Sequence, residues 1–219
     1  MAVRAFLFDL DGVLVDTTRI IQRGWERFAA ERGLSIPEAD YPRFIYGRRT
    51  REILLEYFKL SEAESDRLIA QGLDDKTKLV AREGGLSEIP GASHFVRASK
   101  ALGLRIALAS SASAPNVALA LSALGIVDQF DAVVTSADVK KGKPAPDPYL
   151  EAARRLDSTP GDSVVFEDTV FGIASAHAAG ARCVGLATTL TRDRLSEADL
   201  VIDDFRGAEP AALIRALGA

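Results

Sequence analysis

Cysteine is almost absent: Cys183 is the only one in 219 residues. No intrachain disulfide can form, and the expected setting is the reduced cytoplasm. Long hydrophobic runs are missing too. The longest stretch without charge, 106–127, has the length of a membrane span. It contains Ser110, Ser111, Ser113, Pro115, Asn116 and Ser122, so it reads as a buried strand, a polar loop and a helix. At the N-terminus the triplet Phe6, Leu7 and Phe8 is cut short by Asp9 and Asp11, which excludes a signal core. Positive charge is not in surplus. A net charge of -4 weighs against a nucleic-acid binder, whose affinity would rest on clustered Lys and Arg. Internal repeats and low-complexity tracts are absent. What remains is a soluble globular composition, 47% hydrophobic and 26% charged, long enough for one good core and a smaller accessory domain.

Short apolar runs at 3–8, 105–109, 132–134, 163–166, 183–186 and 200–202 end abruptly in polar or turn residues. Runs this short, rich in Val, Ile, Leu and Phe, fit strands buried on both faces of a parallel sheet. Helical patterns alternate with them. In 114–124, Val117, Leu121 and Leu124 form one stripe before Gly125, a helix stop. Asp147 and Pro148 read as the N-cap and first turn of a helix over 149–156. A third helix, 170–179, ends at Gly180. The expected fold is therefore α/β, with a doubly wound, Rossmann-like parallel sheet whose ligand site lies beyond the carboxyl ends of the strands. From Asp16 to about Gly85 no strand pattern occurs, only helical stripes such as Ile21, Trp25 and Phe28, then Ile53, Leu54, Tyr57 and Phe58. This predicts an inserted all-helical cap over 16–85, placed as a lid on a core made of 1–15 and 86–219.

The strongest chemical signal is Phe8-Asp9-Leu10-Asp11-Gly12-Val13. Two carboxylates close an apolar strand and, in an extended chain, point the same way. Alone, they would read as turn-capping aspartates. Glu167-Asp168 ends another apolar strand in the same manner, and like charges brought together there are costly unless a cation is shared. A hard divalent ion such as Mg²⁺ answers that need. Ser110 and Ser111 end a third strand, where small hydroxyls and free backbone N–H groups suit phosphate oxygens; helix capping is the plainer reading for Ser113 and Asn116. Lys143, stiffened by Pro144 and Pro146, is a fixed ammonium able to neutralise carboxylates and a transferring phosphoryl group. Lys140 and Lys141 read as solvated charges.

The segments FDLDGVLVD, LASS, KGKPAPDP and VVFEDTVFGI, in this order, resemble the haloacid dehalogenase-like superfamily, in its phosphatase and phosphomutase branch with a helical cap. The segment GKPAPDP and the pair Glu167-Asp168 are similar to the subgroup of β-phosphoglucomutase and sugar-phosphate phosphatases. Four motifs in order are specific where each alone is weak. The resemblance implies a Mg²⁺-dependent phosphatase acting on a small phosphorylated metabolite through an aspartyl phosphate. It makes Asp9 the nucleophile and Asp11 the acid that protonates the leaving oxygen, then the base for the hydrolytic water. It assigns the metal to Asp9, the backbone carbonyl of Asp11 and Asp168, with Glu167 a direct or outer ligand, and the phosphoryl oxygens to Ser110, Ser111 and Lys143. Asp11 argues against dehalogenation, which needs no leaving-group acid.

In relatives a cap loop near Gly47-Arg48-Arg49-Thr50 selects substrate, so Arg48 and Arg49 are candidates to bind the non-reacting part, Arg48 slightly preferred. The competing reading leaves one of them solvated or paired with Glu52. Arginine cannot form the Schiff base of phosphonoacetaldehyde hydrolases. The histidine typical of a mutase cap is absent, since His94 and His177 both fall outside it and Ile21 stands near the expected position. A β-phosphoglucomutase-type mutase is the alternative, and a receiver-like, phosphorylation-switched binding domain a remote one that would need no lid. Trp25 is expected in the cap core, His177 packed on its helix, and Cys183 buried and inert.

Overall fold

β1 (Ala5–Phe8) is buried along its whole length. Its period-2 side chains feed two separate cores: Phe6 and Phe8 enter one, Ala5 and Leu7 the other. Such a strand needs neighbours on both edges and cover on both faces. The computed structural model, which describes residues 3–73, 80–81 and 85–218, supplies them. β1 lies between β4 (Arg105–Ala109) and β6 (Ser163–Glu167), in register Phe8 to Leu108 and Phe8 to Phe166. With β5 (Ala132–Val134), β7 (Arg182–Leu186) and β8 (Leu200–Ile202) these form a parallel sheet ordered β5-β4-β1-β6-β7-β8. The order reverses between β4 and β6, so the crevice above β1 is where a ligand site belongs in such a fold.

One face of the sheet carries a phenylalanine cluster. Phe8 stacks on Phe166 at 4.7 Å, and Phe95 stacks on Phe205 at 4.7 Å and on Phe6 at 5.9 Å. Phe95 comes from α4 (Ala92–Ala101), while α5 (Ala114–Leu124) adds Val117 and Leu121 to the same core. The opposite face is covered by α6 (Asp147–Arg155) and α7 (Val170–Ala179), which contribute Tyr149, Ala152 and Ile173. α8 (Pro210–Ala216) closes the chain against α4.

Between β1 and α4 the polypeptide forms α1 (Thr18–Ala30), α2 (Thr50–Glu56) and α3 (Glu62–Ala70). They hold a small core of their own, with Ile45 and Ile53 at its centre. Residues 74–79 and 82–84 of the expected insertion lie outside the described residues. A two-stranded antiparallel clasp, β2 (Val15–Asp16) with β3 (Ser87–Glu88), joins the two ends of this region. Two-residue strands carry no periodicity, which is why the sequence gives no sign of them.

Two local expectations are corrected. Asp147 is the first residue of α6 and Pro146 takes the cap position, where its ring-fixed φ of −72° already has the helical value. His177 is exposed rather than packed, and its Nε2 sits 3.1 Å from Asp199 Oδ2. Its place in the last turn of α7 turns it toward the loop before β8. Cys183 is fully buried. Among the described residues no helix is long and apolar enough to cross a membrane.

Candidate active site

Two strands deliver polar side chains to one spot because each stops being apolar at its carboxyl end. Asp9 follows β1, Glu167 ends β6, and Asp168 follows it. Lys143 reaches them from the loop that leads into α6. Its Nζ lies 2.9 Å from Asp9 Oδ1 and 2.6 Å from Glu167 Oε1. All four side chains are essentially buried. With every group ionised, three carboxylates and one ammonium leave two negative charges uncompensated. That imbalance is a poor structural device and a good cradle for a divalent cation.

The electrostatics follow. Burial pushes the Asp9 carboxyl up to about 7, with Lys143 opposing the rise and Glu167 and Asp11 adding to it. Burial, then Glu167 and Asp9, raises Asp168 well above the ordinary carboxylate range. For Lys143 burial works against the charge, but Asp9 and Glu167 outweigh it and hold the ammonium above its usual value.

The fit of a cation rests on the geometry of the donors. Oxygens of Asp9, Glu167 and Asp168 all lie within 4.8 Å of one another. Asp168 Oδ1 is buried without a hydrogen-bond partner among the described residues, an arrangement that costs free energy unless something positive meets it. Gly12 makes room on this side: a Cβ there would fall 1.9 Å from Asp168 Oδ2 and 2.6 Å from Thr189 Oγ1. Its φ of +74° is also one that glycine adopts freely. Hard carboxylate oxygens of this kind suit Mg²⁺.

Glu167 is used differently from its neighbours. Its Oε1 accepts from the Tyr149 hydroxyl at 2.6 Å and faces Lys143. Its Oε2 accepts from the Asp168 N–H at 3.1 Å and from Thr169 Oγ1 at 3.2 Å. Gly172 lies directly against the carboxylate, and a Cβ at that position would come within 1.8 Å of it. With both oxygens engaged, Glu167 holds Lys143 from below. Asp11 accepts a short hydrogen bond from the Thr17 hydroxyl at the base of α1.

Above this floor is a cavity of about 130 Å³ between the sheet and the helices that follow β1, its wall including Asp9, Asp11, Asp168 and Arg48. Ser111 lines the cavity as well, and its hydroxyl donates to the Gly47 carbonyl at 2.9 Å. Ser110 is buried, with Oγ accepting from the Ala112 N–H at 3.1 Å. Asn116 also lines the wall, and Ser113 precedes α5 without a side-chain cap bond.

The two cap arginines part company. Arg48 lines the cavity, pairs with Glu56 at 2.7 Å and lies over the Phe171 ring, while its Nε is buried without a hydrogen-bond partner among the described residues. Arg49 turns to Glu52 and to backbone carbonyls of the loop before Lys143. Trp25 packs on Phe28 and stacks on Phe58, and it also lines the cavity. Tyr149, Thr17, Thr169, Thr189 and Gly172 were not singled out from sequence. Only Gly172 left a legible trace there, as a glycine inside a helical stretch.

Comparison with known proteins places the chain in a family. Residues 6–186 match the family described as haloacid dehalogenase-like hydrolase. The chain is 34% identical to hexitol phosphatase A of Escherichia coli (strain K12) over 92% of this chain and 91% of that protein. The crystal structure of β-phosphoglucomutase from Clostridium difficile superposes with a TM-score of 0.85 at 25% identity, covering 99% of this chain and 97% of the other. That of a variant of CbbY from Rhodobacter sphaeroides, in complex with xylulose-(1,5)bisphosphate, gives 0.81 at 27% identity, covering 96% and 99%.

Proposed function

This chain belongs to the haloacid dehalogenase-like hydrolases, and on that premise we propose that it is a Mg²⁺-dependent phosphatase of a small sugar or polyol phosphate. The observation that carries the reading is the buried contact of Asp9 with the Lys143 ammonium, beside an Asp168 oxygen that lacks a hydrogen-bond partner among the described residues. A carboxylate fixed at a strand tip, flanked by a cation-seeking oxygen and an ammonium, is suited to attack phosphorus.

Asp9 supplies the attacking oxygen. A P–O(Asp9) bond forms as the ester P–O bond breaks, and Asp11 gives its proton to the departing alkoxide. In the second half-reaction Asp11 takes a proton from water as that water attacks the same phosphorus. The P–O(Asp9) bond then breaks, releasing inorganic phosphate and restoring the Asp9 carboxylate. Thr17 holds Asp11 in place for both transfers. Lys143 neutralises charge on the phosphoryl oxygens and is itself held by Glu167 and, through it, Tyr149. Asp9, the Asp11 carbonyl and Asp168 are the residues to hold Mg²⁺, which would offset the negative charge that phosphate and carboxylates bring together. Ser110 and Ser111 are proposed for the phosphoryl oxygens, and Ser111 must release Gly47 to serve.

Arg48 faces the cavity and is the better placed of the two arginines to meet the rest of the substrate. The relatives include a phosphatase of hexitols and a protein crystallised with a ketose bisphosphate, which supports a polyhydroxylated substrate class. The helices between β1 and α4 would then act as the lid over 16–85. A screen of phosphorylated sugars and polyols, measuring phosphate release with and without Mg²⁺, tests the proposal. Release that needs no divalent ion, or isomerisation of a hexose 1-phosphate in place of release, would overturn it.

A further inference from the structure

We propose that Arg49, together with Glu52 and Gly142, is a positioning device that couples docking of the cap loop to the placement of Lys143. The proposal rests on the phosphatase reading above and adds a function for the arginine that does not line the cavity.

Arg49 occupies the residue before α2 with extended backbone, φ −76° and ψ 144°. Its side chain therefore leaves the helix and crosses to the core. Nη1 donates to the Val139 carbonyl at 3.1 Å and to that of Ser136 at 3.4 Å, while Nη2 donates to Lys140 O at 3.0 Å. Glu52 Oε1 orients the guanidinium, accepting from Nε at 2.9 Å and Nη2 at 2.7 Å. The same oxygen accepts the Gly142 N–H at 3.0 Å. One fork from the cap thus grips the backbone of 136–142, and the next residue is Lys143.

Gly142 gives an independent sign that this contact is built. A Cβ there would lie 2.7 Å from Arg49 Nε and 2.8 Å from Glu52 Oε1, so a side chain at 142 would push the fork out of the position it now holds. An exposed ion pair would contribute little, but both side chains here are 16% exposed and their donors reach main-chain groups. Lysine lacks the planar fork and cannot span these acceptors. The expected consequence is kinetic. Phosphoryl transfer depends on placement, and a misplacement of about 1 Å can cost on the order of 10²-fold in rate. A cap loop seated on the core fixes the path of 136–142 and so where the Lys143 ammonium stands.

The test compares Arg49→Ala, Arg49→Lys and Glu52→Ala with the parent enzyme in two measurements. The first is steady-state hydrolysis of p-nitrophenyl phosphate, whose aryl group offers a cap arginine no hydroxyl or second phosphate to recognise. The second is hydrogen exchange of the amides of 136–142 in the substrate-free protein. Expected for Arg49→Ala and Glu52→Ala are a kcat lower by roughly 10- to 100-fold, KM within about 3-fold, and exchange of the Gly142 amide at least about 10-fold faster. Arg49→Lys should fail to restore either value. Unchanged exchange, or faster exchange with unchanged kcat, overturns the proposal. A parent enzyme that hydrolyses no phosphoester overturns the phosphatase reading instead, and the exchange measurement then still decides whether the fork holds the loop.

Discussion

Glu167 receives four donors or counter-charges at its two oxygens, and the three that come from side chains can be removed singly. Tyr149→Phe deletes one hydroxyl from a fully buried site, where losing a charged hydrogen bond costs about 1–3 kcal/mol. Urea denaturation should show that loss, and kcat should fall because the carboxylate that steadies Lys143 is freed to move. Unchanged stability would mean that the hydroxyl is not shared with Glu167. Gly172→Ala acts on the same carboxylate from the other side. Its new methyl would sit about where Glu167 now lies, so the acid and Lys143 must both shift, with an expected drop in kcat of roughly 10²-fold. Wild-type kcat in a folded Gly172→Ala protein would show that the position of Glu167 is unimportant. Neither residue announces itself in the sequence. Tyr149 stands in a helix whose apolar face explains it without chemistry, whereas Asp9, Asp168 and Lys143 stand out because charge at the end of an apolar strand or in a proline-stiffened loop needs a reason.

At the scale of elements, the strands were legible to within a residue or two because burial on both faces leaves short, uniformly apolar runs. β4, β5 and β8 end where their apolar runs end. α5 is read over 114–124, ending at Gly125, and it spans Ala114–Leu124. The clasp of β2 with β3 was not legible, nor was the fork from Arg49, because both are tertiary contacts between segments roughly 70 to 90 residues apart. The phenylalanine cluster is the element-scale contribution to stability. Phe95 of α4 touches Phe6, Phe8, Phe166 and Phe205, so Phe95→Ala should cost about 3–5 kcal/mol. The melting temperature should fall accordingly, while KM at a temperature well below the transition stays near the parent value. A loss under about 1 kcal/mol would mean that the surrounding rings close the gap.

For the whole molecule, the sheet gathers an excess of negative charge at one edge of one cavity, and the chain's stability should report it. The Asp9 carboxyl binds its proton more tightly in the folded, metal-free protein, at about 7, than its ordinary 3.8. A raised pKa of this kind stabilises the fold fully below the ordinary value and is lost as pH rises through about 7. In a chelator the melting temperature should therefore fall between about pH 4 and pH 7 from this source, and Mg²⁺ should offset the fall increasingly as pH rises. Parallel melting curves with and without Mg²⁺ would argue that no cation binds at Asp9. The most direct test of the central claim is covalent. Enzyme mixed with a ³²P-labelled sugar phosphate and quenched in acid within one turnover should carry label that hydroxylamine releases, and borohydride reduction should map it to Asp9. Asp9→Asn should carry none. Turnover with no label on the protein, or label at any other residue, would contradict the account.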